Sequence, residues 1–122
     1  MNERRRQRRR QVIYYLPVHD AATLQMVGHL VDISQSGFKL DSPRPLPVGR
    51  DYVFRIDLQD RSLNKPYLAF RARSRWYRQD PLAPNVYNIG FEIVALPPGD
   101  EHLIHHVMEK YATTEEYSYP WK

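Results

Sequence analysis

The chain has no cysteine, only five glycines and no long apolar run. Missing thiols exclude disulfide staples and thiolate metal centres. Glycine and serine are too sparse for a flexible linker, and no internal repeat is found. No apolar stretch approaches the roughly 20 residues of a membrane-spanning helix. Val12 to Leu16, behind the basic start, is too short and too aromatic for a secretory signal, and Pro17 closes it. One domain of 122 residues, soluble and cytoplasmic by default, is expected. Also lacking are a Ser-His-Asp pattern, a glycine-rich phosphate loop and a facing pair of catalytic carboxylates. No enzyme is expected.

Acidic residues are nearly missing from one place in particular. The first ten residues, MNERRRQRRR, hold six arginines and only Glu3 on the other side. Setting those six aside from the eighteen Lys and Arg leaves twelve basic against thirteen acidic residues. The formal charge of +4 therefore sits on an N-terminal arm. Guanidinium groups bind phosphate and guanine O6/N7 in a planar, bidentate way and also stack on bases. The ordinary reading of such a run is a solvated tail that holds polyanions loosely. Its position directly before the first strand instead ties it to a protein surface.

Behind the arm the chain takes on the period of β-structure. Gln11 to Val18 reads as a strand and Gln25 to Asp32 as a second, with Leu24, Met26, Gly28 and Leu30 sharing a face. Phe38 to Leu40 begins a third, and the proline-rich Ser42 to Gly49 is a loop. Tyr52, Phe54, Ile56 and Leu58 form one apolar face, and Tyr87, Ile89, Phe91 and Ile93 another. Between them, Leu68, Phe70, Ala72, Ser74 and Trp76 alternate with Arg71, Arg73 and Arg75, a second basic stripe. Such period-two strands argue for an antiparallel barrel. After Pro97, Pro98 and Gly99 the period changes. Asp100 suits an N-cap, and Leu103, Ile104, Val107, Met108 and Tyr111 line one seam of a helix. The expected organisation is an arm over 1–11, a barrel over 12–96, a helix packed on it over 97–112 and a tail over 113–122.

Three groups carry candidate chemistry. Asp32-Ile33-Ser34-Gln35-Ser36-Gly37 lies between two strands. As a plain β-turn, Asp and Ser would bond local backbone and Gly37 would supply a positive φ. As a purine site, the carboxylate would accept from guanine N1–H and N2–H, and a hydroxyl would bond phosphate. Trp76, with Arg75 beside it, reads from the alternation as ordinary barrel core. His102, His105, His106 and Glu109 have helical spacing compatible with metal, but a solvated helix face looks the same, and no metal is expected.

Taken together, Arg-x-x-x-Arg, a strand pair, then Asp-x-Ser-x-x-Gly on a barrel with a C-terminal helix resembles the PilZ domain, across residues 4 to 112. The resemblance implies a six-stranded antiparallel β-barrel that binds the second messenger cyclic di-GMP. It implies an arginine pair clamping guanine edges and phosphates, either Arg5 with Arg9 or Arg6 with Arg10. Asp32, Ser34 and Gly37, with Ser36 between them, would form the facing wall, and Trp76 would flank a guanine. An extra arginine before the pair, Arg4 or Arg5, implies two stacked ligand molecules. Ligand neutralises the self-repelling arm and pins it to the barrel, making a new surface for a protein effector acting in trans. Motility, pilus or biofilm machinery is the implied setting. The alternatives are a nucleic-acid-binding barrel using Arg71, Arg73 and Arg75, and a PilZ-like adaptor without ligand.

Overall fold

A computed structural model of the protein describes residues 10–58 and 60–111, with side chains from Leu16 onward. Its strands are β1 (Arg10–Asp20), β2 (Met26–Ile33), β3 (Gly37–Ser42), β4 (Asp51–Asp57), β5 (Tyr67–Gln79) and β6 (Tyr87–Ala95). They close into an antiparallel barrel in the order β1-β2-β3-β6-β5-β4. The seam is short: among the described residues, His19 opposite Arg55 and Asp20 opposite Phe54 join β1 to β4. A helix, α1 (Glu101–Tyr111), follows β6. The expected arm and the tail after Tyr111 lie outside the described residues, apart from the backbone of Arg10 and Gln11 in β1.

Four phenylalanines fill the interior because each sits on the inward parity of its strand. Phe38 of β3 stacks on Phe91 of β6, with centroids 5.0 Å apart and planes 12° apart. Phe70 meets Phe38 edge-on at 5.5 Å, and Phe54 meets Phe91 edge-on at 5.1 Å. Leu30, Leu40, Ile56, Leu68 and Ile89 complete the packing, all essentially without solvent contact.

The face assigned to β2 holds only in part. Gly28 and Leu30 are buried, whereas Leu24 and Met26 are exposed. The hairpin runs past the core there. A register shift between Val18 and His19 accompanies the change. Leu24 also takes φ 62°, inside a turn whose Ala22 and Thr23 N–H groups donate to Asp20 Oδ1.

At the end of the barrel where β6 finishes, α1 buries Leu103, Ile104, Val107 and Met108 as its seam requires. Asp100 stands directly before the helix, and its Oδ2 accepts from Lys65 Nζ at 2.7 Å. The histidines take separate partners. His102 Nδ1 lies 2.7 Å from Gly99 O, His105 bonds Gln35, and His106 Nε2 lies 3.3 Å from Asp60 Oδ2. Among the described residues, no group of His, Cys, Asp and Glu is arranged to hold a metal, and no helix is long and apolar enough to cross a membrane.

Phe38→Ala is expected to cost about 3–5 kcal/mol, because it removes one ring from a closed aromatic cluster that cannot collapse around the gap. Leu82, 93 % exposed at the β5–β6 turn, should cost less than about 0.5 kcal/mol on the same truncation. Denaturant unfolding of both variants checks the contrast.

Candidate ligand-binding site

Inside the barrel the wall is apolar; outside, strand pairing assembles a polar row. Gln11 of β1 pairs with Asp32 of β2, Asp32 with Lys39 of β3, Lys39 with Gly90 of β6, and Gly90 with Trp76 of β5. Because Phe38 and Leu40 point inward, Lys39 points outward, and Gly90 does so between Ile89 and Phe91. The row runs across five strands and joins residues more than sixty positions apart.

Asp32 is 1 % exposed, and its Oδ2 lies 3.7 Å from Lys39 Nζ. Burying a carboxylate this deeply is costly without polar partners. Ser34 is fully buried; its N–H donates to Gly37 O at 2.8 Å and its hydroxyl to the same oxygen at 3.3 Å. Ser36 O accepts from the Ile93 N–H at 2.8 Å, fastening the turn to β6. Gln35 reaches the other way, to His105 of α1. The Asp32 to Gly37 segment is thus a built turn held from two sides. One detail of the turn reading fails. Gly37 has no left-handed φ, a state reserved among described glycines for Gly49 and Gly99. Gly37 instead opens β3, opposite Glu92.

Trp76 is not in the core. A register shift between Ser74 and Trp76 breaks the alternation expected for β5, so Ser74 stays buried while Trp76 is 41 % exposed. Extra residues of this kind turn a strand and re-aim its side chains. The indole lies over Gly90: a Cβ there would meet its Nε1, Cε2 and Cζ2 atoms. Arg75 holds Glu92 at 3.5 Å, and Arg73 holds Asp51 at 2.7 Å. Two of the three arginines in the second basic stripe thus lie beside carboxylates, in exposed pairs.

One step along the wall lies a second row, His29 opposite Asp41 and Asp41 opposite Asn88. Asn88 Nδ2 donates to Asp41 Oδ1 at 2.8 Å and to Asp80 Oδ2 at 3.1 Å. Lys39 and Gly90 are the site residues that the sequence reading missed. A glycine in the middle of a strand is a known sign of close approach, so Gly90 was detectable; nothing local distinguishes Lys39.

The ladder also sets where the arm meets this wall. Arg10 pairs with Ile33 and Gln11 with Asp32, so the arginine run joins the barrel beside the turn. Arg4, Arg5, Arg6 and Arg9 themselves lie outside the described residues, as does the side chain of Arg10.

The sequence matches the PilZ domain family over residues 3–110. The chain belongs to that family. Its members are non-enzymatic receptors and adaptors for cyclic di-GMP. Among solved structures, the chain is similar to the Bacillus subtilis inhibitor of motility, MotI/DgrA. The TM-score is 0.68 and the identity 18 %, over 89 % of this chain and 51 % of that one. It is also similar to the PilZ domain of Escherichia coli YcgR with c-di-GMP, at TM-score 0.63 and 15 % identity, over 89 % and 92 % of the two chains. The PilZ chain spans about half the length of the Bacillus protein, and at these identities the likeness is one of fold. No protein of curated function matches it.

Burial, together with the nearby His19, pushes the His29 imidazole below its ordinary 6.5, against an opposing pull from Asp41. The folded state then binds fewer protons than the unfolded chain, so stability is intact above about pH 6.5 and declines below it. His29→Gln should flatten that decline. Unfolding curves of both proteins between pH 5 and pH 8 check this.

Proposed function

We propose that this PilZ domain is a cyclic di-GMP receptor whose arginine arm and outer barrel wall close on the ligand together. The observation that carries the reading is the strand register. Asp32 shares one row with Trp76, and the arm enters the barrel opposite Ile33. A ligand with two phosphates and two guanines needs cations, an acceptor for guanine N–H groups and a flat surface for a base. The arm offers the first, Asp32 the second and the exposed indole the third.

The role of each residue follows from its surroundings. Arg5 with Arg9, or Arg6 with Arg10, would hold phosphate oxygens and guanine edges in bidentate contacts. Asp32, 1 % exposed and with its Oδ2 3.7 Å from Lys39 Nζ, would accept from guanine N1–H and N2–H once the ligand uncovers it. Ser34, Ser36 and Gly37 shape the turn; since Ser34 is fully buried, a direct hydroxyl–phosphate bond would require the turn to open. Closing the arm over the wall replaces a cluster of like charges by a neutralised complex. The covered wall is then a different surface for an effector protein. MotI/DgrA is by its name an inhibitor of motility, which supports motility control as one setting for that effector.

Calorimetric titration with cyclic di-GMP tests the reading. Saturable binding supports it, and heat indistinguishable from dilution at ligand concentrations up to about 1 mM defeats it in favour of an adaptor that works without ligand. Steep salt-dependent binding of long RNA or DNA, with no preference for cyclic di-GMP, would point instead to a nucleic-acid binder.

Arg5→Ala with Arg9→Ala should weaken binding by about two to four orders of magnitude, because each charge-assisted contact contributes roughly 1.5–3 kcal/mol. If that pair binds like the parent and Arg6→Ala with Arg10→Ala does not, the second register is the correct one. Asp32→Asn should lower affinity about 10- to 100-fold while the folded fraction at the titration temperature stays unchanged. A fall in affinity that merely tracks lost folded protein would make Asp32 a turn residue only.

The arginine before either pair, Arg4 or Arg5, supplies charge for a second, stacked ligand. Two cyclic di-GMP molecules per protein are therefore expected. Saturation at one per protein, with active concentration verified, rules that arrangement out.

A further inference from the structure

We propose that Gly90 is the seat of Trp76: its missing side chain leaves room for the indole to pack against β6, where it serves as the platform on which a guanine of the ligand stacks. This deepens the receptor reading and rests on it. Gly90 is buried in the middle of β6, opposite Lys39 of β3 on one side and Trp76 of β5 on the other. Its φ is not in the left-handed region, so no backbone conformation calls for glycine here. Space does. A Cβ on Gly90 would fall 2.8 Å from Cζ2 of the indole, with Nε1 and Cε2 nearer still. Real Cβ atoms do not approach that closely, so any larger residue must drive the ring off the sheet.

The seat solves a problem peculiar to an exposed tryptophan. A two-torsion aromatic on a bare strand samples several orientations, and ordering it on binding costs affinity. Trp76 is 41 % exposed, and its Nε1, Cε2 and Cζ2 atoms are the ones that occupy the space beside Gly90. The register shift at Arg75 brings it opposite Gly90, so bulge and glycine act as a pair. Lys39 and Asp32 come next on the same row, which sets the base-stacking surface in line with the carboxylate that would read the guanine edge. Gly90 is thus a positioning residue that acts through Trp76.

The test uses the full chain carrying Trp121→Phe, so that Trp76 is its remaining tryptophan. Without ligand, Gly90→Ala should shift the Trp76 emission to the red and raise its quenching by acrylamide. With cyclic di-GMP, calorimetry should show affinity lowered about 5- to 100-fold by Gly90→Ala, and by a similar factor in Trp76→Ala, the range expected for one base–aromatic stack. The double variant should bind within about twofold of Trp76→Ala alone, since the glycine has no further role once the ring is gone. Should Gly90→Ala fail to fold, removing the indole must restore folding in the double variant. Several results overturn the proposal: an unshifted emission, unchanged affinity in either single variant, a Gly90→Ala effect that persists without the indole, or a double variant that stays unfolded. A parent protein that ignores cyclic di-GMP overturns the receptor reading and the stacking role together; the ligand-free emission then still reports whether the seat exists.

Discussion

The stacked rings of Phe38 and Phe91 decide what the outside of this barrel looks like. They lock β3 to β6 from within, at 5.0 Å between centroids. Because side chains alternate across a strand, fixing those two inward turns Lys39 and Gly90 outward as neighbours. A slip of one residue would send the phenylalanines into solvent and bring a lysine into the core, at a cost no single polar contact could offset. The polar row is therefore held in register by hydrophobic packing on its reverse side. Asp32 and Trp76 depend on the same lock, since each pairs with one of its two outward residues.

The candidate site is also tied to the end of the barrel that α1 closes. Gln35, in the Asp32 to Gly37 turn, bonds His105, and the adjacent His106 faces Asp60 in the loop after β4. Lys65 in that loop holds Asp100 at the start of the helix. Neighbouring residues of one helix thus meet two loops from opposite edges of the barrel mouth. A displacement of the turn has a direct mechanical route to the helix. The helix itself is held mostly by four buried apolar side chains, and these polar contacts orient it.

Much of this was legible in the chain. All six strands were read from the chain, four of them by period-two alternation, and the helix seam Leu103, Ile104, Val107 and Met108 is the one that is buried. The turn motif and the arm could be recognised as a pair because both are local signatures, spelled in consecutive residues. Trp76 was legible as a candidate but not in its orientation: extending the alternation from Ser74 set it on the inner face, and a single register shift reversed that. Leu24 and Met26 misled for a related reason. Apolar spacing says which residues share a face, whereas burial also requires that the strand still lie over the core.

By itself, the sequence determined the class of fold, the charge asymmetry between arm and body, and the chemistry available on each. Those come from residue type and short-range spacing, which survive in any conformation. Only the tertiary structure decided that Asp32, Lys39, Gly90 and Trp76 form one row and that the arm enters beside it. Such neighbours come from hydrogen-bond register between strands far apart in the chain. Register is set by the packing of the whole core and is written in no single segment.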